Sequence, residues 1–169
     1  MLLPLSLLFV GAVLMLNGLW MMNRVADQDI VVVNLSTAFI TGAVALLSMI
    51  GADTAATVKA AALTFLFSLT YLWVGMNRMN GSDGRGLGWF SFFVAISVLP
   101  EAVVTLRDAT GMLDLWLGLC WACWAVLWFL NFLVLVPRWP LAGITAGATV
   151  AGGIFTAWMP ALVMLYGSA

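Results

Sequence analysis

Six long stretches of this chain carry almost no charge, and their length limits its fold more than any motif does. Cut at charges and turn residues, the sequence leaves runs at Leu3–Met22, Ile30–Ile50, Thr57–Met76, Leu87–Leu106, Leu115–Val136 and Leu141–Tyr166. Each matches the about 20 apolar residues that an α-helix needs to cross a bilayer. Of 169 residues, they leave only about 40 for connections and ends, which is too few for a separate extramembrane domain. Lipid supplies no hydrogen-bond partners, so a span must be a helix or a strand of a closed barrel. These runs are too long and too continuously apolar for barrel strands, whose character alternates. The expected fold is therefore an all-α integral membrane protein, a six-transmembrane-helix bundle in one domain over residues 1–169.

Composition narrows the function. Hydrophobic residues make up 64% of the chain and charged residues 8%, against about half and about a quarter in a soluble domain. Thirteen charges cannot cover a water-exposed surface of this size, so the expected partner over most of it is the lipid bilayer. A net charge of −1 without a basic cluster argues against nucleic acid. The chain has no histidine, which excludes imidazole catalysis, imidazole metal ligation and histidine pH sensing. No nucleophile–base pair or metal-ligand cluster emerges, so neither an enzyme nor a cofactor is expected.

Short polar connections set the orientation. Asn23 through Asp29 joins the first two spans, Asn77 through Gly86 the third and fourth, and Pro137 through Pro140 the last two. That side collects Arg24, Arg78, Arg85 and Arg138; the other has Lys59 and Arg107. The excess of basic residues predicts that the first side is cytoplasmic and that both termini face outward. The first charge follows the first span rather than preceding it, the reverse of a cleavable signal peptide, so that span is expected to be retained.

Polar and aromatic residues inside the spans point to a solute path. Trp121, Trp124 and Trp128 recur at i, i+3 and i+7, which places them on one helix face. Such a stripe serves packing or lipid anchoring as readily as a pore. Other spans favour the pore. Leu3, Leu7 and Leu14 align on the first helix, with Asn17 a turn further on, and Phe67 and Tyr71 stack at i, i+4 beside Ser68 and Thr70. A narrow lumen of rings and leucines with a few amide and hydroxyl groups suits a small, flat, dipolar solute. An unpartnered amide loses about 4–8 kcal/mol on entering hydrocarbon, and one or two hydrogen bonds with a ring face would remove much of that barrier. No charge ring or carbonyl filter replaces an ion's hydration, so ions are excluded.

Glu101, beside Pro100, is the clearest ionisable residue within a span; it marks a candidate outer vestibule or a simply wet carboxylate. Cys120 and Cys123 form a C-x-x-C without basic neighbours, histidine or a second cysteine pair, and are expected to be structural. Gly143 and Gly147, extended by Gly152 and Gly153, form a small-residue surface suited either to an oligomer interface or to packing within the protomer. Asn34 and Thr41 are expected to make interhelical hydrogen bonds.

The segments LLFVGAVLMLNG, LTFLFSLTYLWVGMN, LGWFSFFVAI, W-x-x-W-A-V-L-W and IFTAWMP resemble the AmiS/UreI family of bacterial amide and urea channels. The resemblance recurs in order in five of the six spans. It implies a six-helix protomer with its own pore, assembled into a homohexamer. It also implies constrictions built from first-helix leucines, third-helix aromatics and fifth-helix tryptophans, which here are Leu3, Leu7, Leu14, Phe67, Tyr71, Trp121, Trp124 and Trp128. Asn17, Asn34, Thr70 and Asn77 lie in matching segments, with a lining role implied. The acid-gated members have long, histidine-bearing loops and an acidic residue in the last helix, where this chain has short loops, no histidine and Gly152. Short loops resemble the amide-transporter branch, whose members accompany a cytoplasmic aliphatic amidase.

The resulting expectation is a passive inner-membrane channel for acetamide-like amides or urea, without histidine-based acid gating. Two other classes compete. A non-conducting subunit would use the tryptophan face to dock a partner and would not conduct alone. An ion-coupled secondary transporter would accumulate solute on a pH or sodium gradient; Pro100 and Pro160 interrupt two helices but lack the matched symmetry of such transporters.

Overall fold

The computed structural model describes residues 2–167. It contains six long helices and, among the described residues, no strand: α1 Leu2–Met21, α2 Asp29–Ile50, α3 Ala55–Asn80, α4 Arg85–Arg107, α5 Met112–Leu135 and α6 Ala142–Tyr166. All six are long and apolar enough to cross a membrane. Large apolar side chains on their outer faces stand exposed, including Phe39 at 78%, Val32 at 70% and Ile144 at 63%. In a multi-pass membrane protein these faces meet acyl chains.

Consecutive helices lie side by side, and α6 returns to pack on α1, so the six close into a ring in chain order. Each short connection reverses the chain. Thus α1, α3 and α5 run one way, and their C-terminal ends gather with the Arg24, Arg78, Arg85 and Arg138 connections at what is here termed the basic end.

The ring is held by close backbone approach and buried polar pairs. A Cβ on Gly153 would lie 2.8 Å from the Met15 nitrogen and 2.9 Å from the Gly11 oxygen, so α6 sits directly on the α1 backbone. The Gly143-x-x-x-Gly147 pair does not make this approach; a Cβ on either glycine meets nothing within 4 Å in the protomer. Between α1 and α2, Asn17 and Asn34 form a reciprocal carboxamide pair at 3.0 and 2.6 Å. The Thr41 hydroxyl instead donates to its own helix, at Thr37 O 2.7 Å away. Between α2 and α3, Ser68 Oγ donates to the Ala38 carbonyl at 2.6 Å. Buried hydroxyls such as Ser91 and Thr149 likewise donate to the carbonyl four residues back, which removes the cost of burying them.

Helix ends depart from the apolar runs for identifiable reasons. Thr54 and Thr57 form a capping box that starts α3 two residues before its apolar run. At the other end α3 continues through Asn77 and Arg78 to Asn80, so these two residues belong to a helix rather than to the connection expected from the sequence. A cation in a last helical turn is favoured by the helix dipole. The helix stops at Gly81, whose φ of +68° a side chain would disfavour. In the following turn, Asp83 accepts from the backbone N–H and Nε of Arg85, which holds its carboxyl below the usual carboxylate range.

The sixth span is a continuous helix with a π-helical turn at Gly153–Trp158. There the Met159 N–H reaches back five residues to the Ile154 carbonyl. In that register the partner of the Phe155 carbonyl would be Pro160, which has no N–H. The Trp116 indole N–H of α5 takes its place at 3.0 Å.

Candidate functional site

A cavity of about 190 Å³ opens within the ring, in the half of the bundle toward the basic end. Three parallel helices supply most of its wall at regular helical spacing: Val10, Leu14 and Asn17 from α1, Thr70, Tyr71, Val74 and Asn77 from α3, and Trp124, Leu127, Trp128 and Asn131 from α5. Leu87 and Ser91 of α4 and Thr149 of α6 complete it.

Phe67 organises its deep end. Trp128 stacks on it with ring centroids 4.4 Å apart and an interplanar angle of 29°. Trp124 meets it edge-on at 5.4 Å and 86°. Trp121 leans on both, 5.6 Å from Phe67 and 5.1 Å from Trp124. Offset and edge-on pairs fix ring orientation, because the electron-rich face of one ring attracts the hydrogen-bearing edge of the next.

Both indole N–H groups are committed. Trp124 Nε1 donates to Thr156 Oγ1 at 2.7 Å, and Trp128 Nε1 donates across the lumen to Thr70 Oγ1 at 3.2 Å. Thr70 in turn donates to the Leu66 carbonyl at 3.0 Å. These bonds lock the rings, so the tryptophans offer a solute their faces and edges rather than donors. Tyr71 is 2% exposed and lines the cavity.

Of the residues singled out from the sequence, the structure brings Leu14, Asn17, Phe67, Thr70, Tyr71, Trp124 and Trp128 to this one cavity. Leu7 is buried in the packed core beside it, and Trp121 packs against the same cluster without lining the cavity. Leu3, at the far end of α1, is 52% exposed and also lies outside the lining. Cys120 is packed in the core, and Cys123 faces outward.

Glu101 does not line this cavity. Its carboxylate pairs with Lys59 Nζ at 2.6 Å, tying α4 to α3 near the end opposite the basic one. The lysine is 47% exposed, so the pair is worth about 1 kcal/mol or less. Glu101→Gln is accordingly expected to change solute flux by less than about twofold, measured in proteoliposomes. A near-complete loss of flux would return Glu101 to the solute path.

The mouth at the basic end contains residues that sequence reasoning missed. Arg78 lies over the Trp20 ring, 5.1 Å from its centroid, and reaches Asp27 of the α1–α2 connection at 3.6 Å. Trp20 also donates its indole N–H to Asp27. Among the described residues no carboxylate lines the cavity itself, and the one charged lining residue is this cation. A cation entering would find no opposite charge to offset its lost hydration. The signal available for Asn131 was its place three residues after Trp128, on the face already assigned to the tryptophans.

Comparison with known proteins gives a consistent picture. The profile of the AmiS/UreI family transporter matches residues 2–168. A putative amidate substrates transporter protein of Mycolicibacterium smegmatis is 38% identical over 96% of this chain and 76% of its own. The putative transporter protein AmiS2 of Rhodococcus erythropolis is 37% identical over 96% and 79%. The crystal structure of the urea channel from Helicobacter pylori superimposes with a TM-score of 0.85 at 30% identity, covering 99% of each chain.

Proposed function

This chain belongs to the AmiS/UreI family of transporters, and from that premise we propose that it is a passive channel for short-chain aliphatic amides and urea across the bacterial inner membrane. The observation that carries the reading is the cavity between Phe67, Trp124, Trp128, Tyr71 and Leu14, walled by rings and aliphatic groups and free of carboxylates. A planar amide passes along the exposed sides of these rings with little loss of contact. A salt ion would shed water there and gain nothing in return.

The path runs through each protomer, from the end where Leu3 and Leu7 stand, past the aromatic cluster and out by the basic end. That end faces the cytoplasm, by its excess of arginine, and both termini face outward. Protomers assemble as a homohexamer, and a cytoplasmic amidase maintains the inward gradient by consuming the solute. Acetamide-like solutes rank ahead of urea. The relative named for amidate substrates shares 38% identity with this chain, against 30% for an acid-activated urea channel of Helicobacter pylori.

Purified protein in liposomes, followed by stopped-flow light scattering, tests the reading. Acetamide and urea are expected to equilibrate faster than in protein-free vesicles, without accumulating against their gradients. With no histidine in the chain, their fluxes are expected to agree within about twofold at about pH 5 and about pH 7.5. Flux equal to that of bare lipid would overturn the channel.

A further inference from the structure

We propose that Asn77 is the contact residue of a second recognition station, a collar of carboxamides at the basic end of the cavity that pairs with a planar primary amide or urea through two hydrogen bonds. The inference rests on the channel reading above and assigns the residue that reads the polar edge of the solute.

Asn17, Asn77 and Asn131 come from the three parallel helices α1, α3 and α5. Each stands three or four residues before the last residue of its helix, and all three line the cavity, which places them in its part nearest the basic end. Their hydrogen bonding differs. Asn17 is held by Asn34 in the reciprocal pair, and Asn34 is itself anchored to the Ile30 carbonyl at 2.8 Å. Asn131 donates to the Leu127 carbonyl at 3.0 Å and keeps its oxygen for the lumen. Asn77 is 4% exposed, and no group among the described residues bonds its carboxamide. Asn77 lines the cavity, so its carboxamide, with no protein partner, is free to bond what occupies the lumen, and an amide solute takes the place of water there.

The chemistry of the site selects the visitor. The indole N–H groups are taken by Thr156 and Thr70, so the aromatic slot reads shape and leaves polar recognition to another part of the path. A carboxamide presents a donor and an acceptor side by side, and the Asn17–Asn34 pair shows two such edges satisfying each other within this bundle. A solute amide offers Asn77 the same edge, with the Asn131 oxygen on the facing wall as a further acceptor. Arg78, the next residue along α3, sits at the mouth and disfavours ammonium there.

The test compares acetamide with N,N-dimethylformamide, which keeps the carbonyl and lacks N–H donors, as flux above protein-free vesicles. Asn77→Leu, close in volume, is expected to lower acetamide flux about tenfold and N,N-dimethylformamide flux by less than about twofold. Asn77→Ser, which retains a donor and an acceptor, is expected to fall between them and carries the comparison if the leucine variant is not monodisperse in detergent. If the unaltered protein conducts acetamide and both variants keep its solute ratio, Asn77 binds only water or packs, and the collar is overturned while the channel stands. An equal loss for both solutes overturns it as well. Absence of conduction by the unaltered protein would instead sink the channel reading itself.

Discussion

Trp128→Ala is expected to lower the permeability ratio of acetamide to a longer amide such as hexanamide by about tenfold or more. The basis is geometric. The indole stacks on Phe67 at 4.4 Å and crosses the lumen to Thr70, so one side chain sets both the gap and the opposite wall. Tight apolar walls discriminate by about 1–3 kcal/mol per added methylene, and removing a wall forfeits that. Truncating a buried tryptophan also costs about 3–5 kcal/mol of stability, so thermal unfolding in detergent must be measured beside flux. Trp128→Phe, which keeps a ring and loses the donor, is expected to retain most of the discrimination. Trp124→Ala should behave like Trp128→Ala because its ring closes the same cluster edge-on. Unchanged ratios in both alanine variants would remove the aromatic slot from the solute path.

Gly153→Val is expected to destabilise the protomer by about 3 kcal/mol or more, at or beyond the upper end of ordinary overpacking penalties. The added atoms would press on backbone of α1 at Met15 and Gly11, which no rotamer change can move aside. A lowered melting midpoint or loss of the monodisperse detergent peak is the expected readout. Gly147→Ala supplies the contrast. Its Cβ meets nothing within 4 Å in the protomer, and its effect on protomer stability is expected within about 0.5 kcal/mol. Equal stability of Gly153→Val and the unaltered chain would contradict the packing of α6 on α1.

Most of the architecture was readable without coordinates, because a bilayer leaves few options. Runs such as Ile30–Ile50 and Leu87–Leu106 each became a helix extended by no more than two residues at either end. Three features were not readable. Cutting at charges assigned Asn77 and Arg78 to a connection, although a helix continues into the interface wherever a cation suits its C-terminus. The small-residue surface named Gly143, Gly147, Gly152 and Gly153 together, and did not show that Gly153 makes the approach, against Gly11 across a span of sequence no local pattern joins, while Gly143 and Gly147 do not. The π-helical turn leaves no periodic trace over six residues; only Pro160 hints at it.

The site divides in the same way. Helical spacing grouped Phe67, Tyr71, Trp124 and Trp128, because residues four apart on a helix share a face whatever surrounds them. It carried the fifth-helix stripe on to Trp121 and the first-helix stripe on to Leu7 and Leu3, which lie outside the cavity lining, since periodicity fixes direction and says nothing about depth. Commitments between helices, such as Trp124 to Thr156, depend on the fold and were invisible.

The ring of helices in chain order has a consequence for biogenesis. As the polypeptide leaves the ribosome, each new hydrophobic segment meets the neighbour just made, so five of the six junctions form without a search through distant partners. Only the seam between the first and last segments waits for translation to finish. Until then the future lumen is an open trough facing lipid, and its asparagines and threonines lack a complete enclosure. The closing clasp is shared along that last segment: Gly18 of the first helix meets Ala146 and Val150, and Gly153 then meets Met15 and Gly11, so the seam closes in sequence from Ala146 onward.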